Sequence, residues 1–347
     1  MSNSKKVYLI LILGFFLSLS YSFYNLSEFD NLHPQKKNHP MVRGDINLIW
    51  KEAETFKRDF FQYDKSYFTS GKEYTRTYLP SKIIAIYSKI TNYELYEDFE
   101  KNVVKEGGKH LYLFLQSILF YISLLFFYLK LKVFINNEKL SIYVISFLSL
   151  EPTILQWHST FFTESIYFSL QIIFLSILID TNNSHLKFLK LGIIIGLMFF
   201  QKTVSIFLII LVILYFLINK FDKKIVNTFI LIFTYLFFLI FLGLNNYKKT
   251  GIFYILPLQT KDAHYTLLVP QIFAKKDKSS EYYDYKYLTE KKWKNSNNFK
   301  KNDFKDLYKF YKFKQSEALK KILENKLIVI KIYFKKTLHH LLLNPVQ

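Results

Sequence analysis

The sequence contains no cysteine, and it has only nine glycines and seven prolines in 347 residues. Without cysteine there is no disulfide framework and no thiolate metal site. No GxGxxG, P-loop, serine nucleophile elbow or HExxH motif is present. The signatures of the common soluble enzymes are therefore missing, and the class of protein must be inferred from the residues that are abundant.

Apolar residues are abundant and occur in blocks. They make up 51% of the chain, and aromatic residues make up 19%. About 20 mostly apolar residues suffice to cross a bilayer. The pattern predicts an all-α fold, a polytopic transmembrane helical bundle with outward-facing interfacial helices. The predicted spans are about 7–24, 111–129, 140–157, 159–179, 186–201, 203–219 and 225–244, of which 140–157 is interrupted at Glu151-Pro152.

The formal net charge of +20 could indicate nucleic-acid binding. We reject that interpretation because the excess is concentrated after the apolar blocks, where residues 245–347 contain 22 lysines and nine acidic residues. Anionic lipid head groups are the nearer partner for such a segment. We therefore predict a lipid bilayer with anionic lipids, and no nucleic acid, as the partner of the basic tail.

The lysines of the short loops predict the orientation. They cluster on every second turn, at Lys5-Lys6, 130–139, 187–190 and 220–224. The positive-inside rule places these groups in the cytoplasm. We expect an integral plasma (inner) membrane protein with a core, 1–244, whose loop 25–109 faces the periplasmic or extracytoplasmic side, followed by an outward basic tail, 245–347. Val7–Leu19 also resembles a signal peptide, and that alternative gives loop 25–109 the same location.

The outward loop contains two amphipathic segments. The first begins at Asp45, with Ile49, Ala53, Phe56 and Phe60 at helical spacing. The second begins near Pro80, with Leu79, Ile83, Ile86/Tyr87 and Ile90 on one face. Either the two helices lie in the membrane interface, or they pack on one another as a small cap. Asp45 could be a helix N-cap, or it could act chemically at the bilayer surface.

Three ionisable residues lie near predicted outward ends of spans. Glu164 precedes an apolar run, and an acid at membrane depth is usually paired or functional. His158 lies in the turn before it and could instead belong to a solvated loop. Lys202 separates Ile193–Phe200 from Val204–Phe216. It could bind a lipid phosphate or could be an ordinary snorkelling lysine.

The last apolar stripe is mixed with lysines. Residues 315–343 predict one basic helix that lies on the membrane rather than across it. His339 and His340 are adjacent and point apart on a helix, so they form a poor metal pair. We predict no metal site and no cofactor, and the sequence leaves a divalent-metal requirement open.

Several short motifs occur in the order found in integral-membrane glycosyltransferases. These are Gly44-Asp45 with Ala53, Leu79-Pro80-Ser81, Glu151-Pro152 through Thr163-Glu164, Leu191-Gly192 through Lys202, Asn246-Tyr247 with Thr250-Gly251, and Asn344-Pro345. The ordered set resembles the GT-C superfamily, in the branch related to dolichyl-phosphate-mannose protein mannosyltransferases and lipid A aminoarabinose transferases. Each motif is short, and the specificity lies in their order.

The resemblance implies a membrane glycosyltransferase. The donor would be a polyprenyl-phosphate-sugar, and the acceptor a glycan, a lipid or a protein at the outer face. Asp45 would be the catalytic carboxylate, and Lys202 would hold the donor phosphate. Glu164, His158 and Arg43 would complete substrate binding. The sugar and the acceptor are not readable from the sequence.

The chain departs from the family pattern at three points. Ile46 follows Asp45, where mannosyltransferases often have a second acid. Lys202 stands where arginine is usual, and lysine binds phosphate less specifically. The sequence stops at Gln347, where relatives continue, so we expect a shortened member. The alternative is a non-catalytic membrane protein that handles lipid-linked sugars, either a flippase component or a scaffold.

Overall fold

The computed structural model describes residues 3–32, 45–58, 79–98, 103–104, 108–158, 163–181, 184–218, 223–256, 264–276, 278–300 and 303–342. This part of the chain is almost entirely helical, as the all-α prediction requires. The helices are α1 (Asn3–Leu32), α2 (Asp45–Arg58), α3 (Leu79–Thr91), α4 (Gly108–Ile135), α5 (Glu138–Leu150), α6 (Pro152–His158), α7 (Thr163–Leu178), α8 (His185–Gln201), α9 (Ile206–Ile218), α10 (Lys224–Thr250), α11 (Val269–Ala274), α12 (Ser279–Ser296), α13 (Phe304–Glu324) and α14 (Lys326–Leu342).

Two very short strands accompany the helices between residues 25 and 109. They are β1 (Tyr96–Asp98) and β2 (Val103–Val104), and they pair antiparallel with Tyr96 opposite Val104. The sequence analysis did not predict this ladder. It is too short to change the fold class.

Three helices are long and apolar enough to cross a membrane, judged by length and composition. They contain the segments Lys5–Tyr24, His110–Ile135 and Ile225–Lys248, which coincide with the first, second and seventh predicted spans. Two shorter apolar segments, Glu164–Leu178 and Thr203–Phe216, coincide with the fourth and sixth. These helices indicate a membrane protein, and the complete set of seven spans stays a prediction.

The chain divides into two compact units, and the first comprises residues 1–62 and 77–241. In its described helices, the surface is rich in large apolar side chains, which are exposed along α1, α4, α9 and α10. Its interior contains many hydroxyl groups, among them Ser18, Ser117, Ser149 and Ser169. Small polar residues at helix contacts and apolar residues outside are typical of helices that pack within lipid.

Buried serines and glycines allow close helix approach in this unit. Ser18 Oγ lies 3.2 Å from Ser117 Oγ, which joins α1 to α4. A Cβ atom added at Gly14 would lie 2.2 Å from Ser149 Oγ of α5. One added at Gly196 would lie 2.5 Å from the Phe238 ring of α10. A larger side chain at either glycine would force the helices apart.

The interruption predicted at Glu151-Pro152 is present. Helix α5 ends at Leu150, and Glu151 has extended backbone angles. Pro152 begins α6, where its missing N–H leaves no helix bond unmade. Glu151 Oε2 accepts a hydrogen bond of 2.7 Å from the Ile154 backbone N–H. The Glu151 carboxylate therefore caps the N-terminus of α6.

Helices α2 and α3, which lie within residues 25–109, pack on one another. Helix α2 begins at Asp45, as predicted, and buries Ile49, Trp50, Ala53 and Phe56. Trp50 Nε1 donates a hydrogen bond of 3.3 Å to the Leu95 carbonyl. The structure therefore has the mutual packing that was one of the two predicted arrangements.

The apolar face predicted for α3 is only partly buried in the structure. Tyr87 is buried and Ile86 and Ile90 are exposed, whereas Ile84, Ala85 and Ser88 are buried. Two polar contacts hold α3 in this rotation: Ser81 Oγ donates to Glu52 Oε2 on α2, and Ser88 Oγ donates to the Tyr93 carbonyl. With these hydroxyl groups hydrogen-bonded, α3 has an orientation that leaves Ile86 and Ile90 exposed.

The second unit comprises residues 63–76 and 242–347. Its described part has two small cores. One contains Tyr265, Val269, Tyr282 and Ala318, and the other contains Leu268, Ile272, Val329 and Ile332. A π-helical turn at His264–Leu268 precedes α11 and contributes to both. Helices α11 to α14 thus fold around aromatic and aliphatic residues of their own.

The single helix predicted over 315–343 is wrong. It is two helices, α13 and α14, separated at Asn325. Asn325 is buried, and its Nδ2 donates a hydrogen bond of 2.7 Å to the Lys321 carbonyl. A side-chain amide that satisfies a terminal carbonyl can end a helix where the apolar period continues.

Candidate functional site

Lys202 lies at a break between two apolar helices of the first unit. Helix α8 ends at Gln201, and Lys202 has extended backbone angles of φ −145° and ψ 120°. A single 3-10 turn, Thr203–Ser205, leads into α9. The Lys202 backbone N–H donates a 2.7 Å hydrogen bond to the Met198 carbonyl. The Lys202 side chain thus projects from a non-helical residue between α8 and the 3-10 turn.

The structure brings Lys202 together with Glu164. Glu164 is the second residue of α7, which packs beside α8. Lys202 Nζ lies 2.5 Å from Glu164 Oε1, and the two side chains are 29% and 23% exposed. An acid in the first turn also interacts favourably with the positive end of the helix dipole. Two residues that are 38 positions apart therefore form one charged centre.

Tyr167 and Ser205 complete this centre, and the sequence analysis missed both. The Lys202 ammonium lies 5.7 Å from the centroid of the Tyr167 ring. Tyr167 Oη lies 2.8 Å from Ser205 Oγ, which donates a 3.2 Å hydrogen bond to the Met198 carbonyl. The available signal was spacing, since Tyr167 follows Glu164 and Ser205 follows Lys202 by three residues. Three residues make nearly one helical turn and place side chains on one side.

The ion pair bears on the prediction for Lys202. A carboxylate binds the ammonium directly, and the choice between a snorkelling lysine and a phosphate ligand stays a prediction. An ammonium has three donors, so one carboxylate oxygen does not saturate it. An incoming phosphate oxygen could use a remaining donor or displace Glu164. The centre is thus a lysine ammonium paired with a carboxylate that neutralises its charge.

The remaining predicted site residues are less completely placed. Asp45 is the first residue of α2, and His158 is the last residue of α6, but both side chains lie outside the described part of the structure. Arg43 also lies outside the described residues. Of the five predicted site residues, the structure therefore brings together Glu164 and Lys202.

The α2–α3 pair is connected through α3 to the helix that leads to the charged centre. Helix α3 contacts α8, and α2 packs along α3. The element that begins at Asp45 therefore belongs to the same packed unit as the helix that ends just before Lys202.

The described residues include no group of three or more His, Asp or Glu side chains placed to hold a metal ion. No family model, curated protein sequence or solved structure matches this chain. The charged centre and the ordered motifs of the sequence are the features that bear on function.

Proposed function

We propose that this protein is a membrane glycosyltransferase that moves a sugar from a polyprenyl-phosphate donor to a cell-envelope acceptor on the outer face of the plasma membrane. The observation that supports it best is the Lys202–Glu164 pair at the break between two apolar helices. A cation at the end of an apolar segment can bind a phosphate whose lipid tail remains in the bilayer.

In the proposed reaction, an acceptor hydroxyl attacks the anomeric carbon of the donor sugar. The new C–O bond forms as the bond between that carbon and the phosphate oxygen breaks, and the configuration inverts. Asp45 takes the hydroxyl proton as general base. Polyprenyl phosphate leaves with an added negative charge, which Lys202 stabilises. Glu164 positions the ammonium, with His158 and Arg43 contributing to substrate binding.

The same centre would serve a protein that binds a lipid-linked sugar without transferring it, as a flippase component or a scaffold does. The ion pair does not distinguish the two functions, because both require a phosphate oxygen to reach the Lys202 ammonium. The two functions differ at Asp45. Transfer requires its carboxylate, whereas binding alone does not.

We test the transfer function with Asp45→Asn. Asparagine caps a helix as well as aspartate does, so a capping role predicts little change. A general-base role predicts that transfer falls by a factor on the order of 10² to 10⁴. The measurement is mass spectrometry of cell-envelope glycans from cells with the normal gene, with the Asp45→Asn gene and without the gene. We expect a sugar modification that depends on the gene and is lost with Asp45→Asn.

Asp303→Asn is the matched control. Asp303 is an N-cap whose side chain accepts a 2.8 Å hydrogen bond from the Lys305 N–H, and it lies outside the proposed site. It should leave the glycans unchanged. Normal glycans from cells that make membrane-inserted Asp45→Asn protein would contradict the general-base role and favour the binding protein.

A further inference from the structure

Helix α14 of the second unit has two apolar faces. One face is buried, since Val329 and Ile332 pack with Leu268 and Ile272 in a small core. The other face is exposed to solvent. The exposed fractions of Leu327, Ile330 and Phe334 are 75%, 63% and 69%. At 100° per residue these three lie within about 60° of one another and roughly opposite Val329 and Ile332. The exposed face is therefore separate from the side of α14 that packs in the core.

Lysines border the exposed face on both sides. Lys331 and Lys335 lie on one side of it, and Lys326 lies on the other, and all three are exposed. Residues 326–342 contain four lysines and no acidic residue. The helix thus presents a row of apolar side chains with two lysines on one side and one lysine on the other.

This face suits a bilayer surface and does not suit a second copy of the chain. A two-fold contact brings the same patch of each copy together, which would place lysines against lysines. Head groups of anionic lipids supply the opposite charge, and the acyl region accepts the apolar row. The same lysines interrupt the apolar sequence, and α14 is not among the described helices that are apolar enough to cross the membrane.

The break at Asn325 allows this arrangement. Helix α13 ends at Glu324 and α14 begins at Lys326, and Val329 and Ile332 of α14 pack with Leu268 and Ile272. The core therefore fixes the rotation of α14 about its axis and so fixes which side chains remain outside.

We propose that α14 is a surface-bound helix that inserts Leu327, Ile330 and Phe334 into the interfacial layer of an anionic bilayer while its opposite face holds the helices of the second unit. This proposal does not depend on glycosyl transfer. It concerns a surface that the proposed reaction leaves unused, and it gives the basic tail a defined orientation on the membrane.

The absence of native cysteine makes the test direct. Ile330→Cys, labelled with an environment-sensitive fluorophore, is examined in the full chain reconstituted in vesicles of phosphatidylcholine alone or mixed with phosphatidylglycerol. Quenchers attached to the lipid should quench the label, and aqueous iodide should not. The effect should be stronger in the anionic vesicles. Ser296→Cys, at an exposed residue that ends α12, is the control and should respond to iodide.

The charge requirement is tested by reversing the bordering lysines. Lys331→Glu with Lys335→Glu should remove most of the lipid quenching at position 330. Lys291→Glu with Lys292→Glu, which makes the same charge change at two exposed lysines of α12, should not. Equal iodide quenching at 330 and 296 in both vesicle types would overturn the proposal. So would a label at 330 that is shielded from iodide only at high protein density and never quenched from the lipid, because a second copy would then cover the face.

Discussion

At the scale of single residues, the informative interaction is the ion pair between Lys202 and Glu164. Sequence patterns suggested that both residues were unusual for a membrane segment. They did not show that each residue is the partner of the other. The distance of 2.5 Å between ammonium and carboxylate makes them one centre, and any function assigned to one must take account of the other.

Substitutions at this pair have opposite expected effects on phosphate binding. Lys202→Ala should weaken binding of a polyprenyl phosphate about tenfold or more, because a charge-assisted hydrogen bond contributes roughly 1.5–3 kcal/mol. Lys202→Arg should preserve binding. Glu164→Gln should tighten it, because the neutral amide no longer neutralises the ammonium. Equilibrium binding of a polyprenyl phosphate to the purified full chain measures all three.

Two control variants accompany the binding measurement on the Lys202 and Glu164 variants. Lys190→Ala removes an exposed lysine near the middle of the sequence of α8 and should leave binding unchanged. Lys202→Ala with Glu164→Gln removes both charges, so that no partly buried carboxylate is left without its partner. Equal binding by Lys202→Ala and Lys190→Ala would restrict Lys202 to a structural ion pair.

At the scale of elements, the α2–α3 pair contains a lysine in an unusual position. Lys82 is buried, and its ammonium lies 4.9 Å from the centroid of the Phe56 ring on α2. Burial lowers the pKa of Lys82 to about 8. A lysine whose charged form is disfavoured on folding weakens the packing of the helix pair near neutral pH.

The packing of this pair should strengthen as the pH rises from about 8 to about 10.5. Below that window Lys82 is protonated in both states, and the folded state bears the full desolvation cost. Within it the folded state releases the proton while the unfolded state keeps it, so stability increases with pH, by on the order of 3 kcal/mol in total. Lys82→Met should be more stable at neutral pH and should lose this dependence.

Amide hydrogen exchange of α2 and α3 measures the effect. The intrinsic exchange rate rises with pH equally in each protein, so the comparison of variants isolates the contribution of Lys82. Lys89→Met, at an exposed lysine of the same helix, should behave as the unsubstituted protein does. An identical pH dependence in Lys82→Met and the unsubstituted protein would show that Lys82 does not govern the pair.

At the scale of the whole molecule, the arrangement of loops relative to the membrane is the central prediction. The lysine pattern places 25–109 and 245–347 outside and 181–190 inside. Single serine-to-cysteine substitutions at Ser70, Ser279 and Ser184 sample the three regions in a protein without native cysteine. An impermeant thiol reagent should label the first two in intact spheroplasts, and Ser184→Cys should react only after permeabilisation. Labelling of Ser184→Cys alone would reverse the orientation and exclude the proposed outer-face reaction.

The sequence alone predicted the helical class, the membrane character and several element boundaries. Apolar runs of span length and the lysines between them are local properties, and they do not depend on what each helix touches. The start of α2 at Asp45 and the interruption at Glu151-Pro152 were predictable for the same reason, because caps and prolines act within one turn of chain.

Only the tertiary structure decided which residues meet. The Lys202–Glu164 pair, its neighbours Tyr167 and Ser205, and the rotation of α3 depend on how separate helices pack. The break at Asn325 is similar, because the apolar period continues through it while the buried Asn325 side chain bonds to the Lys321 carbonyl. Periodicity defines the faces of a helix, but contacts between helices decide which face is buried, and such contacts join residues that the sequence keeps far apart.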